Sequence, residues 1–261
     1  MTLDEHFLDE ALAVAREAAS AAARVIAQYR GQPLDVEHKA DASPVTVADR
    51  EAETAIRDIL RKHYPDHAIF GEEHGREGDG DFLWLVDPLD GTKSFVRGTP
   101  FYSTQTALMH DGELLLGVSA APHYGETLWA RRGGGAWMDG KRIHVADTSD
   151  VTQAAISMGN VRMLAGDVLR WRALGDLLGA VNRIRGYGDF CHYHQLARGA
   201  LDVVIESDVN ILDIAALTVI VREAGGVFTD LDGGDLTLDT TSVLAAVPAL
   251  HKTVRLQLKA S

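Results

Sequence analysis

The sequence predicts an α+β protein, with antiparallel strands dominating its first half and strands alternating with helices in its second. Three patterns carry this expectation. Two stretches near the N-terminus repeat apolar residues at helical spacing. Residues 103–145 read as a meander of strands with tight turns, and beyond about residue 150 short apolar runs alternate with helical segments.

The first helix is expected over Leu3 to Arg30, where Leu8, Leu12, Ala15, Ala19, Ala22, Val25, Ile26 and Tyr29 share a face. Thr2 with Glu5 fits a capping box at its start, and Gly31 supplies a stop. A second helix begins near Thr46, turns Ala52, Ile56, Ile59 and Leu60 inward, and ends before Pro65. Short apolar runs predict strands at Ala68–Phe70 and Phe82–Val86. Within the meander, His110-Asp111-Gly112-Glu113 and Met138-Asp139-Gly140-Lys141 are hairpin turns, because Asp-Gly accepts the positive φ such turns demand. Then come a strand at Ala154–Met158, a helix near Asp167–Leu178, a strand at Arg183–Arg185, a helix near Phe190–Ala197 and a strand at Leu201–Ile205. A helix over about Leu212–Glu223 closes at Gly225-Gly226, which suits a left-handed cap. A strand at Val243–Val247 and a C-terminal helix complete the pattern.

At 261 residues the chain is long enough for one large domain or two closely packed halves. Without repeats or a Pro-rich linker, the division is expected at residues 1–150 and 151–261, packed as one compact unit. Hydrophobic residues at 46% and charged residues at 24% exclude a disordered or fibrous chain. No apolar run reaches the roughly 20 residues that span a bilayer, so no membrane partner is expected. Cys191 is the single cysteine, which excludes an intramolecular disulfide framework. With an acidic N-terminus unlike a secretory signal, this fits a cytoplasmic location. The formal charge of −13, from 38 acidic and 25 basic residues, argues against a nucleic-acid partner. It also opposes any anionic substrate unless local cations invert the field, as a bound divalent metal does.

The strongest motif runs from Trp84 to Phe95, WLVDPLDGTKSF. The strand delivers Asp87 at its end, and Pro88 breaks the ladder for want of an N–H. Asp90 follows three residues later, and two carboxylates so close invite protons or hard cations between them. Gly91-Thr92 open a short helix whose N–H groups favour a phosphate. Taken singly, the acids have plainer readings. Asp-Pro-x-Asp-Gly is common turn chemistry, and Glu72-Glu73 is a solvated acidic turn. Asp213 is a helix N-terminal acid, and Asp49 completes a capping box with Thr46.

Together, Ser43–Glu53 (SPVTVADREAE), Gly71–Gly75 (GEEHG), Asp87–Phe95 (DPLDGTKSF) and the LDIAAL and EAGG segments within 212–226 form a specific four-part pattern across most of the chain. In this the chain resembles the inositol monophosphatase superfamily of Mg²⁺-dependent, lithium-sensitive phosphomonoesterases. The resemblance implies a layered α/β/α/β/α sandwich, a small phosphate monoester as substrate and a homodimer. It implies that Glu72, Asp87 and the Leu89 carbonyl hold one metal, and that Asp87, Asp90 and Asp213 hold a second. Glu72 helps with a weaker third, for two to three Mg²⁺ per site, with Mn²⁺ as substitute. Thr92, coupled to Asp49, would orient the attacking water, and the N–H groups of Gly91 and Thr92 would hold the phosphate. Lys39 matches a basic loop residue common in the family and is equally an ordinary solvated lysine.

Away from these acids, Lys93-Ser94, Arg97-Gly98, Leu212 and Gly188-Asp189 make the chain most similar to the histidinol-phosphate phosphatase branch, which serves histidine biosynthesis. Asp189, Glu206 and Asp208 offer carboxylates to the ammonium and imidazole of that substrate. Inositol phosphatases also carry the equivalent of Glu206, and Asp208 is equally a solvated acid. Inositol phosphate, other sugar or nucleotide phosphates, and a non-catalytic phosphate- or metal-binding regulator stay open.

Overall fold

The computed structural model of the chain describes residues 3–32, 36–38 and 44–259. The first helix, α1 (Glu5–Tyr29), is capped by Asp4, whose carboxylate accepts from the Phe7 N–H at 2.8 Å. The expected capping residue, Thr2, lies outside the described residues. A two-stranded ribbon, β1 (Glu37–His38) with β2 (Pro44–Val45), precedes α2 (Val47–His63). Here the expected capping box is present, with Thr46 and Asp49 bonding reciprocally.

There follow β3 (Ala68–Gly71), β4 (Gly75–Glu77), β5 (Phe82–Asp90), α3 (Thr92–Val96), β6 (Ser103–His110), β7 (Glu113–Ala121), β8 (Glu126–Arg131), β9 (Gly135–Met138) and β10 (Lys141–Ile143). They form one eight-stranded sheet in the order β10-β9-β8-β7-β6-β5-β3-β4. Pairing from β5 through β9 is antiparallel, while β3 runs parallel to β5. Both Asp-Gly turns have the two positive φ values their sequence requires, 49° and 78° at Asp111-Gly112 and 49° and 81° at Asp139-Gly140. One face of the sheet presents Trp84, Val86, Leu108 and Val118 to Leu8, Ala15, Ile26, Ile56 and Leu60 of α1 and α2. Burial of each large side chain there contributes roughly 1.5–3 kcal/mol.

The remaining elements are β11 (Ala155–Met158), α4 (Arg162–Gly166), α5 (Val168–Ala180), β12 (Arg183–Arg185), α6 (Asp189–Ala197), β13 (Val203–Ser207), α7 (Ile211–Glu223), β14 (Val227–Thr229), β15 (Ser242–Ala246) and α8 (Pro248–Lys259). Their sheet has the order β12-β11-β13-β15-β14, parallel among its first three strands and antiparallel across β13-β15-β14. Gly225, past the end of α7, has the left-handed φ of 92° that its position suggested. The ribbon, β4, α4 and β14 are too short to leave a periodic signature in sequence. No helix among the described residues is long and apolar enough to cross a membrane.

The chain divides into two compact units, Met1–Lys141 with Leu212–Ile220, and Arg142–Ile211 with Val221–Ser261. The boundary lies at residue 141 rather than 150, and the stretch around Asp213 belongs with the first unit although sequence order put it in the second half. The reason is a close approach. A Cβ on Gly117 of β7 would overlap the Ala216 carbonyl and lie 2.6 Å from the Ala216 Cα. Only glycine lets α7 sit so near the sheet. Gly117→Ala should therefore cost about 1–3 kcal/mol, read as a fall of several degrees in the thermal midpoint. An unchanged midpoint would show that the helix is not held at this distance.

Candidate active site

The acids of the strongest motif reach one place through an irregularity in β5. That strand pairs with β6 from Phe82↔His110 to Asp87↔Gln105 and resumes at Asp90↔Ser103. Pro88 and Leu89 thus face the single residue Thr104, which makes a β-bulge. Pro88 has no N–H for the ladder, and Thr104 Oγ1 donates to its carbonyl at 3.0 Å. Acids three residues apart on a regular strand point to opposite faces. The extra residue cancels that alternation, so Asp87 and Asp90 stand opposite Gln105 and Ser103, two apart on one face of β6. The expected end of the strand at Val86 is corrected: Pro88 bends it, and pairing continues through Asp90.

One carboxylate oxygen from each of Asp87, Asp90 and Asp213 lies within 4.8 Å of the others. Asp213 arrives from the first turn of α7. Glu72, just after β3, has its N–H on the Val86 carbonyl at 3.1 Å and its side chain hydrogen-bonded to Asp87. Burial first, then the charges of Glu72, Asp90 and Asp213, pushes the Asp87 carboxyl well above the usual carboxylate range. The donor set is all oxygen and acidic, which suits a hard divalent cation. A cation among these groups would remove the repulsion that otherwise keeps a proton there.

Taken singly, Glu72-Glu73 reads as a solvated acidic turn, but the turn is anchored from α2. Glu53, fully buried in α2, accepts from the N–H groups of Glu73 at 2.6 Å and His74 at 3.2 Å. Arg57, one helical turn on, pairs with it at 2.7 Å and also reaches Glu77 at 3.2 Å. Removing one partner of such a buried pair costs about 3–5 kcal/mol. The signal was available: an acid and an arginine at i and i+4 share the stripe of Ala52 and Ile56.

Asp49 and Thr92 meet as expected. Thr92 Oγ1 donates to Asp49 Oδ1 at 2.8 Å and also lies 3.0 Å from the Leu89 carbonyl. The other oxygen, Oδ2, takes the Thr46 N–H at 2.8 Å and the Thr46 hydroxyl at 2.6 Å. Burial raises the Asp49 carboxyl, opposed by those hydrogen bonds, and Glu72 adds to the rise. Gly91 caps α3 at φ 85°, where a Cβ would overlap the Phe101 carbonyl. Gly91 thereby presents the helix start beside Asp90 without a side chain.

The proposed recognition residues lie in the second unit. Asp189 begins α6 with a left-handed φ of 47° and is half-buried. Glu206 is 2% exposed, and its Oε2 meets His192 Nε2 at 3.0 Å and the Tyr193 hydroxyl at 2.7 Å. Burial raises its carboxyl, but His192 and these hydrogen bonds outweigh it and the net shift is downward. Asp208 is exposed and accepts from the Met163 N–H at 3.1 Å, so it steadies the start of α4. Lys39 lies outside the described residues.

The model of the inositol monophosphatase family matches residues 8–260. The chain is 42% identical over 208 residues to the histidinol-phosphatase of Mycobacterium tuberculosis, across 77% of this chain and 79% of that protein. It is 37% identical over 242 residues to the histidinol-phosphatase of Streptomyces coelicolor, across 88% of each. The solved structure of the extragenic suppressor protein suhB from Bartonella henselae superposes with a TM-score of 0.88 at 30% identity, covering 96% of this chain and 98% of that one.

The raised Asp87 carboxyl has a consequence for stability. Its contribution is full below the unfolded value near 4 and declines as pH rises toward the folded one. At neutral pH and without metal, the site therefore destabilises the fold. Asp87→Asn should raise the thermal midpoint of chelator-treated protein by several degrees and abolish any further rise with Mg²⁺. A lower metal-free midpoint, or an undiminished Mg²⁺ response, would contradict this electrostatic account.

Proposed function

Because the chain belongs to the inositol monophosphatase family, we propose that it is a Mg²⁺-dependent phosphomonoesterase whose substrate is histidinol phosphate. The observation that carries the proposal is the convergence of Asp87, Asp90 and Asp213 within 4.8 Å, with Glu72 bonded to Asp87. In this reading those four acids and the Leu89 carbonyl hold two to three Mg²⁺, and Mn²⁺ can substitute. Cations held there would supply positive charge to the phosphate and would lower the pKa of a water for attack.

The chain's own groups do the rest. Thr92 Oγ1, its proton committed to Asp49 Oδ1, turns a lone pair outward to accept a hydrogen from the attacking water. Asp49 is held by Thr46 through Oδ2, so Oδ1 stays aimed at Thr92. The N–H groups of Gly91 and Thr92 donate to the phosphate, as the first donors of a helix do. Asp189 is assigned to the cationic alcohol portion, with Glu206, held by His192 and Tyr193, supporting its recognition.

The two histidinol-phosphatases, at 42% and 37% identity, support the choice of substrate. An inositol phosphate is the second reading, favoured by the family's name. Phosphate release should vanish with a chelator, return with excess Mg²⁺, and show a kcat/KM for histidinol phosphate at least roughly tenfold above that for inositol 1-phosphate. Asp189→Asn should raise KM for histidinol phosphate about ten- to a hundredfold more than for glycerol 2-phosphate. Full turnover in chelator would sink the metal mechanism. A preference for inositol 1-phosphate would sink only the substrate.

A further inference from the structure

Strand β6 opens with four fully buried polar residues, Ser103, Thr104, Gln105 and Thr106, before it turns apolar at Ala107-Leu108. Thr104 secures the bulge through the Pro88 carbonyl. Ser103 and Gln105 share the face of the two acids of β5. Ser103 Oγ donates to Asp90 Oδ2 at 2.9 Å, and Gln105 Nε2 donates to Ser103 Oγ at 2.7 Å. A serine hydroxyl has one proton. Asp90 takes it, so Gln105 presents its NH₂ and not its carbonyl to Ser103. That leaves Gln105 Oε1 buried with no hydrogen-bond partner, on the position paired directly with Asp87. Apolar side chains on these positions would bury no polar atoms, so the fold alone gives this pair no reason.

We infer that Gln105 and Ser103 are positioning residues for the divalent cation: a two-step relay from Gln105 through Ser103 fixes Asp90 Oδ2 and with it the orientation of the carboxylate. The orphan Gln105 Oε1 is an acceptor reserved for the hydrated ion. The inference rests on the reading of Asp87, Asp90 and Asp213 as a cation site, and it extends that site to residues that touch neither metal nor substrate directly. Partners of metal-binding carboxylates are typically worth ten- to a hundredfold in metal affinity.

The test is isothermal titration of Mg²⁺ and Mn²⁺ into the chelator-stripped full chain. It compares wild type with Ser103→Ala, Gln105→Leu and the double variant, and reads the metal-free thermal midpoint alongside. Ser103→Ala should weaken binding about ten- to a hundredfold, and Gln105→Leu about tenfold. The double variant should lose less than the product of the two, because Gln105 acts through Ser103. Gln105→Leu removes an orphan buried acceptor, so its metal-free midpoint should hold or rise while its affinity falls, a split that a merely structural residue does not produce. If Ser103→Ala does not fold, Gln105→Leu decides alone, with Ser103→Thr expected to keep affinity within about threefold because it keeps the hydroxyl. Affinities within about twofold of wild type, or a multiplicative double variant, would overturn the relay and leave the cation site standing. A wild-type chain that binds neither ion would overturn the site and the relay with it.

Discussion

Everything at this site depends on one extra residue in one strand. Without the bulge at Pro88 and Leu89, Asp87 and Asp90 would face opposite sides of the sheet, one toward α1 and α2 and the other toward α7. The bulge is enforced from several sides. Proline cannot donate to the ladder, Thr104 holds its carbonyl, and the Leu89 N–H folds back onto Asp87 Oδ1 at 3.0 Å. Once both carboxylates share a face, the close approach at Gly117 lets α7 deliver a third.

The arrangement is costly to the fold by itself. Four acids gather in a chain that already carries a net −13, and the most buried of them retains a proton well above its usual range. Other buried groups hold these acids and the neighbouring Asp49 in place: Glu53 with Arg57 under the Glu72 turn, Ser103 under Asp90, and Thr46 under Asp49. Buried charge of this kind trades stability for a preorganised site, and sites that bind cations are where proteins accept that trade.

Much of this was legible in sequence because the signals are local. The capping box at Thr46 and Asp49, both Asp-Gly hairpins and the left-handed Gly225 follow from short-range backbone preference. The acids of the site could be named because they stand in a specific order along the chain. What escaped was non-local. A proline after Asp87 reads as a strand end, since nothing in the local pattern announces that pairing resumes at Asp90. The membership of Asp213 in the first unit depends on Gly117, nearly a hundred residues away, which alone reads as one glycine in an apolar strand. Glu53 shows itself in sequence only through its i, i+4 partner Arg57, while the contacts it makes with the Glu72 turn, and those of Ser103 and Gln105 with the acids of β5, join residues whose local patterns do not announce them.

The central claim is that this bulged strand and the start of α7 form a divalent-cation site. Anomalous diffraction from crystals of the wild-type chain grown with Mn²⁺ tests it most directly. The account predicts a strong anomalous peak in contact with Asp87, Asp90 and Asp213. A peak bound elsewhere, or none at Mn²⁺ concentrations that support phosphate release, would contradict it.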